Sequence, residues 1–81
     1  MNIEEALKTI DDLVFAKKGE LLSDLQKAIL QASWENDTYQ EIAEKFPYNE
    51  GHIKNEASLL WKLLSDVLGV SVSKKTFRGK L

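Results

Sequence analysis

Cysteine is absent from this 81-residue chain. That single absence excludes disulfides, thiolate metal sites and a cysteine nucleophile. His52 is the only histidine, so no histidine cluster can hold a metal. No metal, cofactor or catalytic residue is expected. Proline occurs once, at Pro47, and glycine four times; there is no Gly/Ser linker, low-complexity run or internal repeat. Nothing approaches the run of about 20 apolar residues that a bilayer span needs. Glu4 and Glu5 stand where a signal peptide carries Lys or Arg. A location in the cytoplasm, away from membranes, is the expectation.

What is present suffices for one small core. The hydrophobic fraction is 43%, too high for a disordered tail. A chain this short buries only about 60% of its unfolded surface, so a single domain over residues 1–81 is expected. The charge is unevenly placed. Residues 1–51 carry five lysines against eleven acids, a net of −6. Residues 52–81 carry Lys54, Lys62, Lys74, Lys75, Arg78 and Lys80 against Glu56 and Asp66, a net of +4. A basic last third on an acidic body can turn one positive face toward a polyanion.

Hydrophobic spacing predicts an all-α chain of four to five helices, approximately 3–18, 24–33, 39–46, 50–68 and 74–80. Ile3, Leu7, Ile10 and Val14 form the first stripe. Lys17 and Lys18 suit the negative end of that helix, and Gly19 its left-handed cap. Ser23 with Gln26, and Thr38 with Glu41, read as capping boxes opening the second and third helices. Pro47 stops the third. Asn49 caps the fourth, whose apolar face is Ile53, Ala57, Leu60, Leu64 and Val67 and whose end is Gly69; it should be about 28 Å long. Val70–Val72 alternates like a short extended segment. Ser73 is placed to cap a last helix anchored by Phe77. That helix would stop at Leu81 after about two turns; Met1 reads as a natural start and Leu81 as a cut, so the chain is expected to be the N-terminal piece of a longer protein.

A short helix, a tight turn and a longer helix make a helix-turn-helix. Such a unit needs a small residue where the helices cross, which Ala43 supplies, and a buried apolar residue one turn into the second helix, which Ile53 supplies. It also needs a polar face left to enter a major groove. Here that face carries His52, Asn55, Glu56 and Ser58, edged by Lys54 and Lys62.

The residues then bring a resemblance. Glu41-Ile42-Ala43 and Glu50-Gly51, with Asn49, Ile53, Lys54 and Asn55 around them, resemble the LuxR-type helix-turn-helix and region four of sigma factors, whose pattern reads E-I-A, a turn, then S-E-G-T-V-K-N. This likeness covers about residues 22–70. A narrower one spans nearly the whole chain. Leu22-Ser23-Asp24-Leu25-Gln26, Thr38-Tyr39, Leu60-Trp61-Lys62-Leu63-Leu64-Ser65 and Lys74-Lys75-Thr76-Phe77-Arg78 resemble the cyanobacterial domain called the vWA-MoxR associated N-terminal helix-turn-helix. Two departures from the LuxR-type pattern stand out. Pro47 replaces the usual turn glycine, so the turn must avoid positive φ. Leu59 replaces an arginine, trading a phosphate contact for an apolar one.

Double-stranded DNA is therefore the expected partner, with the fourth helix as reader. Asn55 suits adenine, and Lys54 a phosphate. His52, Ser58 and Lys62 share the exposed side. Thr38, Tyr39 and Gln40 open the third helix, where backbone N–H groups suit a phosphate. Lys74 and Lys75 sit at the unfavourable end of the last helix's dipole, which hints at a use on the DNA backbone, together with Arg78. So small and acidic a monomer should bind weakly, so a homodimer is expected. The competing expectation is an adaptor, a helix-turn-helix that recruits a protein through Leu59, Trp61 and Leu63.

Overall fold

The computed structural model describes residues 2–80; Met1 and Leu81, on which the reading of the chain's two ends rests, lie outside the described residues. Four α-helices follow one another: α1 (Ile3–Lys18), α2 (Asp24–Trp34), α3 (Tyr39–Lys45) and α4 (Glu50–Leu68). A 3₁₀ turn, Arg78–Lys80, closes the described chain, and no strand occurs among the described residues.

The helices begin where the capping chemistry predicts. Asn2 Oδ1 accepts from the Glu5 N–H at 2.8 Å. The Ser23–Gln26 and Thr38–Glu41 boxes are both closed reciprocally. Asn49 Oδ1 accepts from the His52 N–H at 2.7 Å. Each bond satisfies a donor that helix geometry otherwise orphans. At the far ends, Gly19 and Gly69 take left-handed φ values of 72° and 71°. Their N–H groups donate to Phe15 and Ser65 carbonyls.

The interior is one cluster. Ile10 and Val14 come from α1, Ile29 and Leu30 from α2, Ile42 from α3, and Ile53, Ala57, Leu60 and Leu64 from α4. Removing each of the larger aliphatic side chains from water contributes about 1.5–3 kcal/mol, which is what holds the short helices in place. α3 and α4 pack directly on one another, and α4 also touches α1 and α2. The turn between α3 and α4 runs through Phe46 in extended conformation, φ −129° and ψ 158°. Among the described residues only Gly19, Asn36 and Gly69 have positive φ. Pro47 is thus accommodated by an extended path in place of a glycine turn.

The last segment corrects the expectation of a helix over 74–80. Residues 74–77 form a turn and only 78–80 a 3₁₀ element. The local reason is a serine–threonine pair. Ser73 N–H donates to Thr76 Oγ1 at 2.9 Å, and the Ser73 carbonyl takes the Thr76 and Phe77 N–H groups. One turn closes, and the bonds that follow, from the Gly79 N–H to the Thr76 carbonyl and from the Lys80 N–H to the Phe77 carbonyl, span three residues and give the tighter 3₁₀ form. What holds the segment is tertiary. Phe77 is fully buried, with its ring 5.6 Å from that of Trp61 and 5.9 Å from that of Trp34. Upstream, Ser65 Oγ accepts from the Val72 N–H at 2.9 Å and donates to the Trp61 carbonyl at 2.8 Å. Since Lys74 and Lys75 open no helix, the anticipated dipole penalty does not arise.

Candidate nucleic-acid interface

α4 buries Ile53, Ala57, Leu60, Trp61 and Leu64. At about 100° per residue, the direction opposite that stripe carries Asn55, Ser58 and Lys62. All three are exposed, as are His52, Lys54 and Leu59 beside them. Asn55, Ser58 and Lys62 stand three and four residues apart, so they form one continuous line along the helix. Neither α1 nor the last segment covers the first part of this face. The α1 contacts that are polar lie at the far end of α4, where Lys17 Nζ donates to the Asp66 carbonyl and Lys18 pairs with the Asp66 carboxylate. The neighbouring Lys18 holds the Asp66 carboxyl below its usual value.

The first turn of α4 is preorganised. His52 stacks on Tyr48, ring centroids 4.5 Å apart. Sequence reasoning passed over Tyr48, although an aromatic four residues before a first-turn histidine was its visible signal. Lys54 Nζ lies 2.7 Å from Glu50 Oε2 one turn back. The hydrogen bond that Lys54 donates to Glu50, together with the carboxylate's charge, holds the Lys54 ammonium above the usual lysine value. Lys54 therefore meets a phosphate only by exchanging one anion for another. Among the described residues Lys62 has no such ion pair.

The start of α3 is arranged differently from expectation. Thr38 and Gln40 are exposed, but the Thr38 N–H already donates to Glu41 Oε1 at 3.0 Å. Glu41 places a carboxylate where an approaching phosphate would meet it, so this helix start is a poor anion site. Tyr39 is half-buried and structural as well as peripheral: its hydroxyl oxygen accepts from Trp61 Nε1 at 2.9 Å.

The remaining cations come from the last segment. Lys74 Nζ lies 5.8 Å from the centre of the Tyr39 ring, and the Arg78 guanidinium 4.9 Å from that of Trp34. Arg78 also donates to the Trp34 carbonyl at 3.3 Å. Lys75 is exposed, with no ring or ion-pair contact among the described residues. The predicted residues thus fall into two groups, one along α4 and one around Tyr39 and Trp34.

The apolar strip expected for an adaptor is broken. Trp61 is only 8% exposed and belongs to the core, covered by Phe77. Leu59 alone of the three is freely exposed, at 58%, while Leu63 is half-buried. Among the described residues no helix is long and apolar enough to cross a membrane, and no three acidic or histidine side chains converge as a metal site.

With this geometry in hand, the chain can be placed. The family model for the vWA-MoxR associated protein N-terminal HTH matches residues 1–81, and the chain belongs to that family. No curated protein and no solved structure matches it.

Proposed function

From that family membership we propose that the chain is a DNA-binding helix-turn-helix domain of a transcriptional or signalling regulator, with α4 lying in the major groove. The observation that carries this reading is the exposed line of Asn55, Ser58 and Lys62 on a helix whose opposite face is fully buried. Its chemistry suits base edges: Asn55 offers a donor and an acceptor for adenine, Ser58 a hydroxyl, and Lys62 a cation for guanine or phosphate. His52 and Lys54 supply polar contacts at the end that enters first. The work is binding, with no catalytic step. With a chain charge of −2, affinity from one copy is low, and two copies on adjacent half-sites would raise it.

Selection from a pool of random duplexes tests this. Wild-type chain should enrich a defined motif, and Asn55→Ala with Lys62→Ala should enrich none while the helical circular-dichroism spectrum persists. Equal enrichment by both proteins would refute α4 as reader.

Leu59 supports a second reading. A leucine 58% exposed on the reading face finds little to match it on DNA beyond a thymine methyl or sugar carbons, whereas it suits an apolar protein partner. Leu59→Ser separates the two. It should leave duplex affinity within a few-fold, and should abolish the interaction if the domain is an adaptor.

A further inference from the structure

We infer that Lys74 and Arg78 form a second, preorganised arm that grips the DNA backbone beside α4, with Tyr39 and Trp34 as its positioning residues. The inference rests on the DNA reading of α4.

The arm's cations are not loose surface charges. Lys74 lies over the Tyr39 ring and Arg78 over the Trp34 ring, at 5.8 and 4.9 Å from the ring centres. A cation over an aromatic face is attracted by the ring quadrupole while its outer side stays hydrated. Arg78 is fixed further by its 3.3 Å bond to the Trp34 carbonyl. Side chains already held in place lose less freedom on binding than mobile ones.

Their location follows a continuous aromatic run. Phe77 packs between Trp34 and Trp61, and Trp61 Nε1 bonds to the Tyr39 hydroxyl. Trp61 stands one heptad beyond Lys54, about 20° away around α4. The run therefore adjoins the Lys54 edge of α4, with Lys74 at its Tyr39 end and Arg78 at its Trp34 end. The turn over residues 74–77 matters here. In a helix the lysine would oppose the dipole; in this turn Ser73 and Thr76 take up the local backbone bonds and the cation is directed to a ring.

Of the acids nearby, Glu50 is paired with Lys54, while Glu41 accepts from the Thr38 N–H and keeps its charge, so Lys74 and Arg78 must outweigh that one carboxylate for the grip to form. Lys75, adjacent in sequence, has no ring beneath it among the described residues. It serves as the internal control for a charge that is present but not positioned.

The experiment is a salt titration of the 81-residue chain on a mixed-sequence duplex, comparing wild type with Lys74→Gln, Arg78→Gln, Lys75→Gln and Trp34→Leu. Each phosphate contact contributes about −0.9 to the slope of log K against log salt. Lys74→Gln and Arg78→Gln should each flatten the slope by about that amount and weaken binding to all sequences alike; Lys75→Gln should change it by much less. Trp34→Leu keeps the site apolar but removes the ring, with some loss of packing against Phe77. It should flatten the slope by the same step as Arg78→Gln, and by nothing more when the two are combined. A purely structural role for Trp34 would alter thermal unfolding without altering the slope. Unchanged slopes for Lys74→Gln and Arg78→Gln, with Asn55→Ala still damaging, would overturn the arm and leave α4 as reader. Absence of duplex binding by wild type would overturn both.

Discussion

Trp61 Nε1 donates to the Tyr39 hydroxyl oxygen across 22 residues of sequence, and this bond ties α4 to the start of α3. In a helix-turn-helix the crossing of these two elements sets how the second is presented to a groove. Ile42, Ile53 and Ala57 pack the inner side of the crossing. The Tyr39–Trp61 bond fixes its outer side, where Phe77 then closes over the indole.

Tyr39→Phe should therefore destabilise the domain beyond its small change in volume. It leaves the indole N–H of a nearly buried tryptophan without its partner, at a cost of about 1–2 kcal/mol. Chemical denaturation followed by tryptophan fluorescence measures this. No loss of stability would mean that the bond contributes nothing net.

Two serines should respond oppositely to alanine. Ser33 is 3% exposed and its hydroxyl has no partner among the described residues, so Ser33→Ala should be neutral or stabilise by up to about 1 kcal/mol. Ser65 bonds both the Trp61 carbonyl and the Val72 N–H, so Ser65→Ala should cost about 1–3 kcal/mol by orphaning the latter. Parallel urea titrations of the two variants decide it. Equal effects would contradict the hydrogen-bond assignment.

Phe77→Ala should cost about 3–5 kcal/mol, as for other buried aromatics. That is a large part of the stability expected of so small a domain. The loss should be seen first at the last segment, as faster amide exchange at Val72 and Phe77 than at Leu60. Uniform protection would show that the segment is held by something other than this ring.

The helix ends of the molecule were legible because the chemistry that makes them is local. Ser23 with Gln26, Thr38 with Glu41, and Asn49 declare their caps within three residues. The exposed line of α4 was legible for the same reason, since it is what remains opposite Ile53 and Leu64. The last segment was misread because spacing alone cannot distinguish a helix from a turn whose one apolar residue is pinned by two distant tryptophans. Trp61 belongs to the core and not to an adaptor's strip because Phe77, which covers it, arrives from 16 residues further on, beyond the reach of local spacing. The start of α3 was half-read. Its capping glutamate was recognised, but not that the same carboxylate stands in the path of a phosphate.

Two ion pairs give pH signatures of opposite sense. Lys18 keeps the Asp66 carboxyl below its usual value. That pair's contribution is therefore present above the ordinary carboxylate pKa of about 3.9 and is lost as pH falls through the lowered folded value. Glu50 raises Lys54, so that contribution is present below the ordinary lysine pKa of about 10.4 and is lost as pH rises through the raised value. Both sites are solvent-exposed, so the effect on stability should be small. The direct readout is NMR titration. Lys18→Gln should return Asp66 upward and Glu50→Gln should return Lys54 downward. No movement in either would show that the pairs are not populated in solution.

The proposed contact between the exposed line of α4 and DNA is open to residue-resolved NMR during addition of a selected duplex. The amides and side chains of His52, Asn55, Ser58 and Lys62 should shift first and most, while the outer faces of α1 and α2 remain unmoved. Shifts confined to α1 or α2, or none along α4 at duplex concentrations that saturate binding, would contradict it.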